Sequence, residues 1–218
     1  MRVLMIAAPG AGKGTQAERI AEHFHVPHLA TGDMLREHVA RGTELGREVK
    51  GHLDRGELVP DEVVLAMVRQ ALVSARSGNG YVLDGVPRTM PQARACYQMA
   101  AELGMAAEIV LHLRIEEALL VGRLLARAAD QGRSDDTEEV IRHRIEVYDE
   151  VTRPILAWYR ERNILVSVDG DQPVSDVARD IRAALTALGL AELPAPHRPR
   201  AALDLTGLDT AFGAAPHP

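Results

Sequence analysis

At 218 residues the chain is long enough for one α/β domain with a sizeable core, and its 46% hydrophobic and 26% charged residues lie near the averages for soluble globular proteins. A formal charge of −6 argues against broad nucleic-acid binding, which needs a basic field. No apolar run approaches the roughly 20 residues of a membrane span, and the N-terminus carries no pattern of a secretory signal.

Residues 3–7 form an unbroken apolar run, short enough to be a strand buried on both faces. The chain then turns to glycine. In the loop 9–15, Gly10, Gly12 and Gly14 let backbone N–H groups converge on an anion with no Cβ in the way. Ala17, Ile20, Ala21 and Phe24 recur at helical spacing, so an amphipathic helix starts behind the loop and aims its positive end back at it. Lys13 adds a full charge for a phosphate. The stretch approaches the phosphate-loop pattern G-x-x-x-x-G-K-S/T with two departures. Ala7 stands where the first glycine belongs, and Gly14 where the hydroxyl belongs, with Thr15 next.

Thr31-Gly32-Asp33 reads as a turn opening a helical segment, and Gly42, Gly46, Gly51 and Gly56 interrupt the weakly apolar stretch 34–58, which implies short helices standing off the core. Pro60 and Asp61 start a firmer helix with Val64, Met67, Val68 and Ala71 as its buried stripe. Residues 81–83 form a short strand ending at Asp84-Gly85. A carboxylate at the C-terminal end of such a strand, beside a phosphate loop, is a natural partner for Mg²⁺ or its waters, so Asp84 is the metal candidate.

Residues 108–113 and 163–168 are two further buried strands, and strands alternating with helices predict a parallel sheet. Arg123 and Arg127 share one helix face, residues 128–134 break the period, and a helix begins near Asp136 with Glu139 as a capping partner and Ile141, Ile145 and Tyr148 as its stripe. Residues 191–218, rich in Ala, Pro and Gly, predict a disordered tail. Cys96 is the only cysteine, which rules out an internal disulfide or a multi-cysteine zinc site and fits a reducing cytoplasm; it reads as a small core residue.

With Gly10 to Thr15, Thr31-Gly32-Asp33, Leu58-Val59-Pro60-Asp61, Leu83-Asp84-Gly85-Val86-Pro87-Arg88-Thr89, Arg133-Ser134-Asp135-Asp136 and Asp169-Gly170 in order, the chain resembles the adenylate kinases over residues 1–190. The resemblance implies an α/β phosphate-loop nucleotide kinase with a five-stranded parallel sheet flanked by helices. It also implies a helical monophosphate-binding arm over 30–59 and a short lid over 126–136 without structural zinc, both closing on substrate. The implied reaction is transfer of a phosphoryl group from Mg-ATP to AMP by a cytoplasmic monomer.

Carried over by position, Gly10, Ala11, Gly12, Lys13, Gly14 and Thr15 would hold the ATP phosphates, with Arg123 and Arg127 from the lid helix and the backbone near Gln172 against the adenine. Arg36 and Arg88 would bind the AMP phosphate. Thr31, Glu57, Leu58, Val59, Gly85, Val86, Pro87 and Gln92 would surround AMP, and Lys13, Arg88, Arg133 and Arg144 would act on the transferring group. Two departures bear on this: Ala7 replaces a glycine usual in the family, and Val86 replaces an aromatic residue beside the acceptor base. A pyrimidine monophosphate kinase and a catalytically weak nucleotide sensor are the competing readings; Thr31 and the pair Thr89 with Gln92 favour AMP.

Overall fold

The computed structural model describes residues 1–131 and 137–190. Among them, five strands form one parallel sheet in the order β2-β3-β1-β4-β5, with β1 at Arg2–Ala7, β2 at His28–Ala30, β3 at Tyr81–Asp84, β4 at Ile109–Arg114 and β5 at Leu165–Asp169. The central strands are apolar along their length because helices cover both faces; Val3, Val82, Ile109, Val110 and Leu111 are wholly buried. The chain builds β2 and β3 on one side of β1, then β4 and β5 on the other. The C-terminal end of β1 is therefore the point where strand order reverses and a crevice opens.

Helix α1 (Lys13–His23) follows the glycine loop directly, and α2 (Thr31–Ala40) and α3 (Glu44–Asp54) follow β2. Thr31-Gly32-Asp33 is thus the first turn of α2 rather than a turn before it, and the glycine-interrupted stretch forms two regular helices. Gly42 and Gly56 carry the left-handed φ values of +63° and +71° that end α2 and α3. Gly46 has another reason: a Cβ there would lie 2.1 Å from the His38 carbonyl oxygen, so its absence lets α3 press against α2. Thr43 fastens the same corner, accepting from Gly46 N at 3.0 Å, with its hydroxyl 3.0 Å from His38 Nδ1.

Next come α4 (Asp61–Ala75), α5 (Met90–Glu102), α6 (Glu117–Gln131) and α7 (Glu138–Val147), then a π-helical turn at Tyr148–Thr152, α8 (Ile155–Arg160) and α9 (Val174–Ala187). Thr137, not Asp136, caps α7 by accepting from Val140 N, so the expected Glu139 capping partner sits one place out of register. Cys96 lies in the core, where burial pushes its thiol up to about 12. Among the described residues no helix is long and apolar enough to cross a membrane.

Candidate active site

The glycine loop between β1 and α1 folds as its sequence demands. Gly12 caps α1 at φ +80°, and Gly10 stands at φ +84°, where a Cβ would meet Leu124 Cγ at 2.9 Å and the Leu120 carbonyl oxygen at 3.0 Å. Ala7, by contrast, is the last residue of β1, paired with Leu113 in the parallel register. It has no left-handed φ, so the alanine imposes no backbone strain on the loop.

Lys13, the first residue of α1, reaches across to Asp84 at the end of β3 and forms an ion pair with Oδ1. His28 Nε2 stands 3.7 Å from the other oxygen, an ion-pair distance longer than a hydrogen bond. Burial opposes the charge on Asp84, yet Lys13 and then His28 hold its carboxyl well below the usual carboxylate range. An ionised carboxylate therefore sits beside the phosphate loop, with Oδ2 3.8 Å from where a Cβ on Gly14 would be. One carboxylate beside a phosphate site suits Mg²⁺, which shares its shell with water and phosphate oxygens. Among the described residues no cluster of three or more His, Cys, Asp or Glu side chains could hold a metal by itself.

These groups lie in a cleft of about 450 Å³, into which Arg36, Arg88, Arg123, Arg127 and Arg144 all reach from α2, the loop after β3, α6 and α7. A smaller hollow of about 40 Å³ adjoins it, lined by Thr31, Glu57, Leu58, Val59, Gly85, Arg88 and Gln92. Backbone contacts set the side chains on its wall: Thr31 Oγ1 donates to the Asp84 carbonyl at 3.1 Å, and Arg88 Nε donates to the Gly85 carbonyl at 2.8 Å. Gly85, at φ +92°, has room for no Cβ, which would lie 2.5 Å from Thr31 Oγ1. A family model described as Adenylate kinase matches residues 5–164.

The chain belongs to the adenylate kinase family. The adenylate kinase of Kocuria rhizophila is 47% identical over 184 residues, covering 84% of this chain and 98% of its own length. That of Thermobifida fusca is 44% identical over 185 residues, covering 85% and 98%. The adenylate kinase of Methanococcoides burtonii is 40% identical over 207 residues, covering 83% and 96%.

Most residues that adenylate kinase resemblance assigns thus meet in two adjoining spaces, and a few stand apart. Ala11 and Val86 are buried at 4% and 1% exposure and line neither space. Gln172, between β5 and α9, has its amide tied to the Asp169 carbonyl and to Asp180, both at 3.1 Å. Arg123 touches that loop, donating to the Gly170 carbonyl and Asp171 at 3.3 Å, which links α6 to the segment expected near adenine. Arg133, the stretch 132–136 of the expected lid, and the expected tail 191–218 lie outside the described residues.

Three neighbours of the site carried no signal in sequence order. His28 reaches Asp84 because β2 pairs with β3 so that Ala30 lies opposite Asp84, a register visible only once the strands are paired. Thr152, in the π-helical turn, donates to the Arg88 carbonyl at 2.8 Å and steadies that arginine from behind. Gly56 packs under α7, where a Cβ would lie 2.8 Å from both Arg144 Cγ and Val140 Cγ1.

Proposed function

We propose that the protein reversibly transfers the terminal phosphoryl group of Mg-ATP to AMP, giving two ADP. The observation carrying this reading is the convergence of five arginines on one cleft floored by the Lys13–Asp84 pair. An AMP phosphate oxygen is already an anion and needs no general base; the difficulty is bringing it in line with a polyanionic triphosphate. Fixed cations answer that difficulty, and guanidinium groups match phosphate oxygens in bidentate fashion.

In this reading the loop amides and Lys13 hold the ATP phosphates, and Arg123 and Arg127 reach the donor from α6. Arg36 and Arg88 hold the AMP phosphate, Arg144 and Arg133 bridge to the group in transfer, and Thr31, residues 57–59, Gly85 and Gln92 enclose the acceptor base. Asp84 would hold Mg²⁺ through water, and the ion would neutralise charge on the donor phosphates. Residues 30–59 act as the acceptor arm and 126–136 as the lid, and their closure excludes the water that would otherwise compete as acceptor. The single cysteine fits a reducing cytoplasm, and the family likeness supports a monomer.

The test is ADP formation from Mg-ATP with AMP, UMP, CMP, GMP or water as acceptor, run beside Lys13→Met. AMP-selective turnover lost in the variant is the expected result. Comparable turnover with UMP or CMP would replace the reading with a broader monophosphate kinase, and bound nucleotide without transfer to any acceptor would replace it with a sensor.

A further inference from the structure

Gln92 is 1% exposed, lines the acceptor hollow, and has both ends of its amide engaged by groups whose hydrogen-bonding roles allow no exchange. The Arg88 backbone N–H, which can only donate, gives its hydrogen to Gln92 Oε1 at 2.8 Å. The Asp61 carboxylate, which can only accept, takes one from Gln92 Nε2 at 2.7 Å. Turning the amide over would set N–H against N–H at Arg88 and oxygen against a carboxylate at Asp61.

Asp61 is itself held. It stands in the first turn of α4, and its second oxygen accepts from Thr89 Oγ1 at 3.0 Å. Thr89 caps α5 by accepting from Gln92 N at 3.1 Å, so its hydroxyl hydrogen is committed to Asp61. Asp61, Thr89 and Gln92 close a ring in which every donor and acceptor has one assignment.

Each end of the Gln92 amide keeps one unused valence: an N–H on Nε2 and a lone pair on Oε1. Adenine offers the complement, an acceptor at N1 beside a donor at the 6-amino group. A 6-oxopurine offers the reverse, a donor at N1 beside an acceptor at O6, and would be met well only by a turned amide. We propose that Asp61 is a specificity-determining residue that holds Gln92 in the orientation that accepts 6-aminopurine and rejects 6-oxopurine monophosphates. It acts through Gln92 and touches no substrate. The proposal rests on the AMP-transfer reading above and deepens it.

The experiment compares AMP with inosine monophosphate, which differs only at the 6-position and the N1 proton, as acceptors for the full chain and for Asp61→Ala and Asp61→Asn. The preference for AMP, as the ratio of kcat/KM values, is expected to fall at least tenfold in Asp61→Ala, with KM for AMP raised and KM for ATP unmoved. Asp61→Asn keeps a carbonyl oxygen for Nε2 and is expected to retain the preference, which a general loosening of α4 would not predict. Asp61→Leu, similar in shape and without an acceptor, repeats the measurement if the alanine variant does not fold.

A preference unchanged in the alanine or leucine variant, including an equal loss for both acceptors, would overturn the proposal. So would an asparagine variant as unselective as alanine. Calorimetric binding of the two monophosphates reads the same ratio without turnover. A chain that binds AMP selectively yet transfers nothing would therefore fail the transfer reading alone, and a chain that binds neither monophosphate would fail both.

Discussion

Lys13 and Asp84 form an ion pair on the floor of the cleft, the first residue of α1 joined to the last residue of β3. Under the transfer proposed above, Lys13 would exchange a carboxylate oxygen for phosphoryl oxygens when ATP binds, and Asp84 would gain a free lone pair.

The pair ties stability to activity. Lys13→Met leaves a buried carboxylate without its main partner, which costs roughly 3–5 kcal/mol when one member of such a pair is removed. Turnover is expected to drop by at least about 10²-fold, the scale for losing a fixed charge at a transferring group. Adding Asp84→Asn to Lys13→Met is expected to restore stability but not turnover. Urea unfolding of both variants checks this, and undiminished stability in Lys13→Met would show that the pair carries no weight.

Acid stability is expected to fail in two windows. Burial, then Arg114, Arg153 and Arg160, push the His112 imidazole from its ordinary 6.5 down to about 4. Below pH 6.5 the unfolded chain therefore binds a proton that the folded chain refuses, and stability declines between pH 6.5 and about 4. Asp84, lowered from an ordinary 3.8, contributes stability that is present above that value and lost as pH falls through its folded pKa. His112→Gln, which can still bond to Tyr148 Oη and Ser167 Oγ, is expected to flatten the first window and leave the second. Unfolding free energies at pH 7.5, 6, 5, 4 and 3 decide the point; equal slopes for both proteins between pH 6.5 and 4 would contradict it.

Two loop glycines with similar φ are expected to respond differently to alanine. At Gly12 (φ +80°) a Cβ meets nothing within 4 Å, so Gly12→Ala carries only the backbone cost of a left-handed residue, about 1–2 kcal/mol. At Gly10 (φ +84°) the same Cβ runs into Leu124 and the Leu120 carbonyl, so Gly10→Ala carries that cost plus displacement of α6, the helix bearing Arg123 and Arg127. Thermal melts should rank Gly10→Ala below Gly12→Ala, and KM for ATP should rise more in Gly10→Ala.

Restoring glycine at position 7 is expected to bring no gain. Ala7 is extended and paired, so Ala7→Gly removes a buried methyl and adds chain entropy, lowering stability by roughly 0.5–1 kcal/mol. Turnover should stay at the parent level, and a faster Ala7→Gly enzyme would show that the loop does feel the alanine.

The central strands were legible because parallel strands buried on both faces announce themselves as short apolar runs, and residues 3–7 and 81–83 needed no further clue. The acid-holding end of β3 and the glycine loop were legible for a related reason, since carboxylate, glycines and lysine follow those runs at once. What stayed hidden depends on pairing across long separations. His28 meets Asp84 only through strand register, and Asp61 meets Gln92 only through the packing of α4 on α5. Glycines announced the short helices of one stretch but not their own roles: those at 42 and 56 end helices, whereas Gly46 sits inside one for closeness, and spacing cannot distinguish the two uses.

The close seating of Gly46 on the His38 carbonyl has a mechanical sequel. Helices α2 and α3 are clamped there into one piece, with Arg36 on the first helix and residues 56–59 running out from the second. Any swing of that piece carries the Arg36 guanidinium and residues lining the smaller hollow together. Under the proposed reading, capturing the acceptor's charge and enclosing its ring would then be a single event in time, so an ion that engages Arg36 alone, without a base, would already draw the hollow shut around nothing.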